Sequence, residues 1–261
     1  MFLVDAGNTH IDWAVAVGRR FLVKGATPTR QWLQGRAGPD FRGILQERGV
    51  KAAAVCSVVP RVTKRLCREL EGALGFAPFV LTADVLRGLE VDYPKPETIG
   101  PDRLANALAA KRLYGAPVVV VDFGTAVTFD VVDGRGAYVG GVIAPGLEVM
   151  LDYLHQRTAL LPRVDVRPVR RVIGRSTQEA MRIGAVRGYS HLVRGVAEDL
   201  KAALAPAEPR FLATGGFARL IVREAALPAK VCPNLALKGL LFAWEEAVRA
   251  PDGGKAGEEA T

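Results

Sequence analysis

Two short apolar runs, far apart in the chain, lead into the same polar pattern. Residues 2–4 run into Asp5 and a Gly-Asn-Thr turn, and residues 118–121 run into Asp122 and a Gly-Thr turn. In each copy two further apolar segments follow, separated by a turn that contains Gly-Arg. Short apolar runs bounded by Gly and Asn predict β-strands, so each copy is predicted to form three consecutive strands with a polar hairpin after the first.

The two copies keep a constant separation. Asp5 and Asp122 are 117 positions apart, and so are Gly7 and Gly124. A repeat of this size predicts two related α/β halves, with a boundary near residues 115–117. The final residues are rich in Gly, Glu and Lys, which predicts disorder. The predicted units are an N-terminal domain over residues 1–115, a C-terminal domain over residues 116–250 and a disordered tail over residues 251–261.

Longer segments with apolar residues three or four positions apart predict helices between and after the repeats. One of them begins at Pro101, and proline is well suited to a first helical position. Helices are predicted over residues 60–74, 101–113, 145–160, 175–204 and 234–248, and a further one after residue 216. Strands are predicted at residues 50–55 and 211–213.

Composition narrows the class of protein. The chain has 261 residues, 49% hydrophobic and 24% charged, which is typical of a globular protein. The formal net charge of +8 tolerates anionic partners without identifying them. Three cysteines without a C-x-x-C pair argue against a disulfide framework or a cysteine zinc site. Asp5 interrupts the first apolar run and residues 118–121 are too few to span a bilayer, so we expect a cytoplasmic protein that does not cross a membrane.

The two hairpins carry the clearest candidate chemistry. Gly7 allows a tight turn close to a ligand, and Asn8 and Thr9 add donors, so this turn could hold a phosphate chain with Asp5 beside a hydrated Mg²⁺. Taken alone, the motif is more typical of a plain β-hairpin with an Asx turn. A second carboxylate-Gly-Thr turn at Asp122 favours a phosphoryl-transfer cleft between the halves.

Two further segments suggest the remaining parts of such a site. Gly215 and Gly216 follow a strand and could admit a nucleobase or ribose against bare backbone. Asp102 could take a proton from a substrate hydroxyl and Arg103 could bind a substrate carboxylate. The alternative for Asp102 is structural, because a carboxylate in the first turn of a helix is favoured by the helix dipole. The chain has no P-loop, dinucleotide-binding or protein-kinase signature, and its three histidines are scattered.

Taken together, these motifs are familiar. The sequence resembles the type III pantothenate kinases, members of the actin-like ATPase superfamily with a duplicated ribonuclease-H-like fold. The resemblance covers about residues 1–247 in order. The motifs that carry it are residues 5–9, 56–60 (Cys-Ser-Val-Val-Pro), 100–103 (Gly-Pro-Asp-Arg), 122–126, 140–146, 176–181, 213–216 and 237–240.

The resemblance implies an α/β enzyme of two halves with a nucleotide cleft between them. It implies ATP-dependent phosphorylation of pantothenate, the entry step of coenzyme A synthesis, by a homodimer with its substrate site at the subunit interface. It implies Mg²⁺ with ATP and a monovalent cation, K⁺ or ammonium. Asp102 would be the base, Asp5 would lie near Mg²⁺ through water, and Asp122 would ligate the monovalent cation. The implied ATP-binding residues are Asp5, Ala6, Gly7, Asn8, Thr9, His10, Ile11, Asp12, Thr125, Gly215 and Gly216. The implied pantothenate-binding residues are Tyr93, Gly100, Pro101, Asp102, Arg103 and Thr177.

Three positions depart from the family pattern. Lys95 stands where Asn is usual, Pro101 where Ala is commoner, and Asp12 where an apolar or basic residue is common. A carboxylate at position 12 would be unhelpful beside ATP phosphates unless it points away. None of the three removes an implied catalytic residue.

Two other functions remain open from the sequence. The first is another small-molecule kinase of the same fold, such as a sugar or acetate kinase, because phosphate hairpins alone do not fix the acceptor. The second is a regulatory relative that binds nucleotide or nucleic acid. A basic segment could bind phosphate backbone, although a solvated connection is the simpler interpretation and nucleic acid is not the expected partner. Its arginines are Arg163, Arg167, Arg170, Arg171 and Arg175.

Overall fold

In the computed structural model, which describes residues 1–35 and 39–249, the chain forms two β-sheets with helices around and between them. The strands are β1 (Phe2–Ala6), β2 (His10–Val17), β3 (Arg20–Pro28), β4 (Ala53–Ser57), β5 (Phe79–Val80), β6 (Glu90–Val91), β7 (Val118–Phe123), β8 (Ala126–Val132), β9 (Ala137–Pro145), β10 (Arg210–Thr214) and β11 (Ala229–Val231). The helices are α1 (Thr29–Leu33), α2 (Phe41–Glu47), α3 (Pro60–Leu74), α4 (Pro101–Tyr114), α5 (Leu147–Arg157), α6 (Thr177–Ile183), α7 (Tyr189–Ala203), α8 (Ala218–Glu224) and α9 (Leu235–Arg249).

The two sheets repeat one arrangement. The first has the strand order β3-β2-β1-β4-β5 and the second the order β11-β10-β7-β8-β9-β6. In each sheet three consecutive antiparallel strands are joined to a parallel strand, β4 beside β1 and β10 beside β7. The predicted repeat of three strands is therefore confirmed in both halves.

The helices differ from the prediction in detail. The segment predicted over residues 175–204 begins at Thr177, after Ser176 caps it by accepting a hydrogen bond from the Glu179 N–H at 3.2 Å. A five-residue π-turn, Gly184–Gly188, joins α6 to α7 within this segment. The helix predicted over residues 145–160 is shorter and spans 147–157. The short elements α1, α2, β5, β6 and β11 were not predicted, because segments of two to seven residues are too short to display a clear period.

Helices α4 and α9 connect the two sheets. Buried residues of both sheets share one apolar core with them, including Leu3 from β1 and Val120 from β7. Every residue from Leu104 to Ala110 is buried, so α4 has no solvent-facing side over this stretch. Gly239 of α9 lies against the Ala105 backbone, where a Cβ would collide, and this close approach fixes the position of α4. Helix α4 contacts β4 in the first sheet and β7 and β8 in the second.

Two elements pack against the sheet of the other predicted domain. Residues 90–91 belong to the predicted N-terminal domain, but they form β6, which pairs with β9 in the second sheet. Helix α9, from the end of the chain, contacts β1 and β4 in the first sheet. The division at residues 115 and 116 stays a prediction. The predicted disordered tail, residues 251–261, lies outside the described residues. Within the described ranges, none of the helices combines the length and apolar character needed to cross a membrane.

Candidate active site

The two polar hairpins meet side chain to side chain. Oγ1 of Thr9 lies 2.6 Å from Oγ1 of Thr125, which is 116 residues away in sequence. Each hairpin is closed by its glycine: the Gly7 N–H donates to a carbonyl three residues on at 2.9 Å, and the Gly124 N–H donates to one two residues on at 3.1 Å. The two turns that the sequence predicts to hold a phosphate chain therefore lie next to each other in the fold.

The first hairpin brings two carboxylates together. Asp5 and Asp12 are direct partners in the β1–β2 register, so their side chains leave the same face of the sheet. Burial raises the pKa of Asp5 well above its ordinary range, and the nearby charges of Asp102, Asp12 and Asp122 raise it further. The thiol of Cys56, the parallel partner of Asp5 on β4, hydrogen-bonds to the Asp5 carboxyl. The carboxyl groups of Asp12, Asp102 and Asp122 therefore lie close enough to Asp5 to affect its ionisation.

Asp122 lies at the corresponding place in the second half. Burial raises the pKa of Asp122 to about 6, although Nδ2 of Asn106 donates to its Oδ2 at 2.9 Å and partly offsets the effect. Oδ1 of Asn106 is buried and has no hydrogen-bond partner within the described part of the chain. An oxygen-rich pair of this kind, with one unsatisfied acceptor, has the donor chemistry that a monovalent or divalent hard cation requires.

The glycines after β10 lie against Asp122. Gly215 has a φ of +89°, and a Cβ there would lie 2.6 Å from Oδ1 of Asp122. Only glycine combines this backbone conformation with so close an approach. At Gly216 a Cβ would meet no atom within 4 Å, so this residue opens onto free space. The pair therefore closes the turn onto Asp122 and leaves bare backbone facing outward.

Asp102 is held at the start of α4. Its Oδ1 accepts a hydrogen bond from the Arg103 N–H at 2.8 Å. Gly100 leaves the room that this carboxylate needs, since a Cβ on residue 100 would lie 2.5 Å from Oδ1. Burial raises the pKa of Asp102, which makes the carboxylate a stronger base than an exposed one. Asp102 is also one of the charges that raise the pKa of Asp5, so the two carboxyl groups lie near each other.

The Arg103 side chain is fixed by a residue that the sequence did not single out. Nε of Arg103 donates to Oδ1 of Asp130 at 2.6 Å, and the Asp130 side chain is fully buried. Tyr138 and Thr128 donate to the two oxygens of the same carboxylate, each at 3.1 Å. Burial raises the pKa of Asp130 while these donors lower it. Nη2 of Arg103 is buried and has no partner among the described residues.

A signal for Asp130 is visible in the sequence. It is the one ionisable residue in the apolar run 126–132, and a carboxylate inside a buried strand needs a partner. Tyr93 lies nearby: its ring is 6.4 Å from that of Tyr138, and a Cβ at Gly140 would contact it. Tyr93, Tyr138 and Arg103 therefore form one polar and aromatic pocket beside Asp102.

The remaining predicted residues fall into three groups. Asn8, Thr9, His10 and Asp12 are exposed on the hairpin, whereas the side chains of Ala6 and Ile11 belong to the core beneath it. Pro101 is the first residue of α4. Thr177 lies apart from the pocket at Arg103: it begins α6 and lines a largely apolar cavity of about 330 Å³ between α5 and α6.

Comparison with known sequences gives a consistent result. A sequence model of the type III pantothenate kinase family matches residues 1–199. A type III pantothenate kinase from Akkermansia muciniphila is 44% identical over 246 residues, which covers 92% of this chain and 96% of that protein. One from Bacillus cytotoxicus is 34% identical over 251 residues, covering 94% of this chain and 95% of its own.

Solved structures agree with the fold. A putative 2-dehydro-3-deoxygalactonokinase from Sinorhizobium meliloti has a TM-score of 0.59 at 13% identity and covers 96% of this chain and 99% of its own. A putative Baf family transcriptional activator from Campylobacter jejuni has a TM-score of 0.56 at 17% identity and covers 94% and 98%. At these identities the likeness shows the fold alone, and it confirms the predicted duplicated α/β architecture.

Proposed function

The chain belongs to the type III pantothenate kinase family, and on that premise we propose how its residues divide the phosphorylation of pantothenate by ATP. The family assignment makes the protein a phosphotransferase on the route to coenzyme A. The observation that carries the residue-level proposal is the convergence of the two hairpins, Thr9 against Thr125, on a cleft lined by carboxylates from both halves.

The hairpins hold the phosphate chain of ATP. The exposed donors of Asn8 and Thr9 face those of Thr125, and turn N–H groups of this kind bind phosphate oxygens. Adenosine lies over the bare backbone of Gly215 and Gly216, where free space is available. The charges of Asp102, Asp12 and Asp122 all raise the pKa of Asp5, and this gathering of acidic groups supports cation binding at Asp5 and Asp122. Asp5 would hold Mg²⁺ through water and Asp122 would hold K⁺ or ammonium, and these ions neutralise the charge of the transferred phosphoryl group when bound.

Asp102 is the general base. A phosphoryl transfer with a loose transition state needs orientation of the attacking hydroxyl more than an early proton transfer. The Arg103 N–H and the absence of a side chain at Gly100 fix Oδ1 of Asp102 in place. Its raised pKa favours acceptance of the hydroxyl proton late in the transfer.

Arg103 binds the carboxylate of pantothenate. The Asp130 carboxylate occupies Nε and leaves Nη2 without a partner, so a substrate carboxylate would satisfy a buried donor. Gly100, Pro101 and Tyr93 complete the wall of this pocket. The +8 charge of the chain is compatible with two anionic substrates.

A homodimer completes the substrate site. The cavity around Thr177 contains none of the other pantothenate-binding residues that were predicted, so Thr177 would serve a site shared with a second copy. Exposed apolar side chains surround this cavity on α5 and the segment after it, which supports an interface there. They include Val149, Tyr153, Leu154 and Leu160.

The arginine-rich segment offers little support for nucleic-acid binding. Three of its five arginines lie near carboxylates: Arg163 is 3.6 Å from Asp152, Arg167 is 3.4 Å from Asp165 and Arg171 is 3.9 Å from Glu179. Side chains paired in this way favour the interpretation as a solvated connection.

The test is ADP release from Mg²⁺-ATP with and without pantothenate, in K⁺ and then in Na⁺ buffer. We expect turnover that requires both pantothenate and K⁺ and that is lost in Asp102→Asn. Asp199→Asn, on the exposed side of α7, is the matched control and should retain wild-type turnover. Pantothenate-dependent turnover that survives in Asp102→Asn would refute the assigned base, and turnover equal in K⁺ and Na⁺ would refute the cation requirement.

A further inference from the structure

A second cavity lies on α7 and α8, outside the residues that the proposed reaction uses. Its volume is about 510 Å³, within the range of small-molecule sites. In contrast to the cavity at Thr177, its lining is polar and mostly basic. The lining residues are Arg187, Ser190, His191, Arg194, Arg223 and Glu224.

The local sequence explains why these side chains converge. Arg187 lies within the π-turn that joins α6 to α7, and Ser190, His191 and Arg194 follow it three, four and seven positions later. Residues with this spacing share one face of a helix. Arg223 comes from the end of α8, which contacts α7. A π-turn placed within a longer helix is frequently found at a functional site.

The charges in this cavity are not balanced. Three guanidinium groups share it with one carboxylate, and Glu224 already accepts hydrogen bonds from Nε and Nη2 of Arg223 at 3.2 and 2.9 Å. Nη2 of Arg194 lies 2.8 Å from Nδ1 of His191, which is no counter-charge. Positive charge from Arg187 and Arg194 therefore remains without a carboxylate in the cavity lining.

The Arg187 side chain contains a buried donor without an acceptor among the described residues. Its Nε is buried from solvent and has no hydrogen-bond partner in the described part of the chain. A buried donor without an acceptor destabilises the folded state, and the same donor gains a strong partner when an anion enters. Guanidinium groups match phosphate oxygens in geometry as well as in charge.

We propose that this cavity between α7 and α8 binds a phosphate-bearing anion at Arg187 and Arg194, separately from the nucleotide cleft. Its volume exceeds the size of an inorganic phosphate ion and accommodates either inorganic pyrophosphate or a small organic phosphate ester.

Calorimetric titration of the full chain with inorganic pyrophosphate tests the site. The cavity variant Arg187→Gln/Arg194→Gln is compared with Arg163→Gln/Arg167→Gln, which removes the same charge outside the cavity. We expect the cavity variant to bind pyrophosphate at least about ten-fold more weakly than the wild type and the control variant do. Arg194→Gln alone serves if the double variant folds poorly, because Arg194 is the less constrained of the two. A parallel titration with glycerol phosphate distinguishes an organic ester from an inorganic source.

Two results would overturn the proposal. The first is equal pyrophosphate binding by the cavity variant and the charge-matched control. The second is a rise in the KM for ATP in Arg194→Gln, because the arginines would then belong to the nucleotide cleft.

Discussion

Oδ1 of Asp130 and Nε of Arg103 are 2.6 Å apart, with the Asp130 side chain fully buried and the Arg103 side chain only 14% exposed. A hydrogen bond between two opposite charges is shorter and stronger than a neutral one, and here it also fixes the plane of the guanidinium. Nη2 of the same guanidinium is buried and has no hydrogen-bond partner among the described residues, so the pair holds an unsatisfied donor in the residue next to Asp102. On the proposed function, we expect Asp130 to act as a positioning residue through Arg103.

Replacement of Asp130 by Asn separates positioning from catalysis. We expect Asp130→Asn to raise the KM for pantothenate about ten-fold while kcat changes little, because Arg103 loses its orientation but Asp102 does not. The variant should also lose stability, since its partner Arg103 stays buried without a counter-charge. Steady-state kinetics and thermal unfolding measure both effects.

Asp133→Asn is the matched control for this change. Asp133 also pairs with an arginine, Arg135, whose side chain is 67% exposed at the β8–β9 turn. Asp133 also accepts the backbone N–H groups of Arg135 and Ala137, and an amide oxygen introduced by the substitution can still accept them. A fall in kcat at unchanged KM in Asp130→Asn would contradict the positioning role.

Asp12 should weaken the binding of ATP. It lies opposite Asp5 in the β1–β2 register and adds negative charge at the hairpin that holds the phosphates. At a separation of about 4 Å in a watery environment such repulsion amounts to about 1 kcal/mol, so Asp12→Asn should lower the KM for Mg²⁺-ATP by about five-fold. Initial rates against ATP concentration measure it, with Asp199→Asn as control. A higher KM in the variant would instead give Asp12 a part in holding the bound cation.

The stability of the nucleotide-free protein should fall as the pH rises from about 4 to 7. The pKa of Asp122 is about 6 in the folded state, above its ordinary value, so the folded state binds the extra proton more tightly than the unfolded state. This stabilisation is complete below the unfolded pKa and is lost as the pH passes the folded pKa. We expect the free energy of unfolding to fall by about 2 kcal/mol more in the wild type than in Asp122→Asn. Urea denaturation across this pH range, without K⁺, measures the effect. The same dependence of the unfolding free energy on pH in both proteins would contradict the prediction.

The same carboxyl should make the effect of K⁺ depend on pH. Only the ionised form of Asp122 attracts a cation, so added K⁺ should raise the melting temperature of the wild type above pH 6 and much less below it. Asp122→Asn should show little K⁺ effect at either pH. Thermal unfolding in K⁺ against a large organic cation provides the measurement, independent of turnover.

The sequence predicted those features that are encoded within short segments. The apolar runs ending in Asp5 and Asp122 specify the two hairpins, and their constant separation predicts the duplicated fold. Contacts between distant segments had no such signal. Asn106 meets Asp122 and Asp130 meets Arg103 only because α4 lies between the sheets, an arrangement fixed by close contact with Gly239. Whether two side chains 16 or 27 residues apart in the sequence meet in the fold is decided by packing, which the periodicity of apolar residues does not reveal.

Gly215 and Gly216 are adjacent in the chain, yet they should respond oppositely to the same substitution. At Gly215 a methyl group would collide with Asp122 and with the Phe123 backbone, and the φ of +89° disfavours any other residue. We expect Gly215→Ala to lower the free energy of unfolding by about 2 kcal/mol or more and to displace Asp122.

At Gly216 the added methyl group meets no protein atom within 4 Å, so Gly216→Ala should keep wild-type stability within about 0.5 kcal/mol. Its KM for ATP should nevertheless rise, because the methyl group enters the space assigned to adenosine. Urea denaturation and ATP titration of the two variants side by side separate packing from binding. Equal stability of both variants would refute the crowding at Asp122, and an unchanged KM in Gly216→Ala would show that the nucleotide does not lie over this turn.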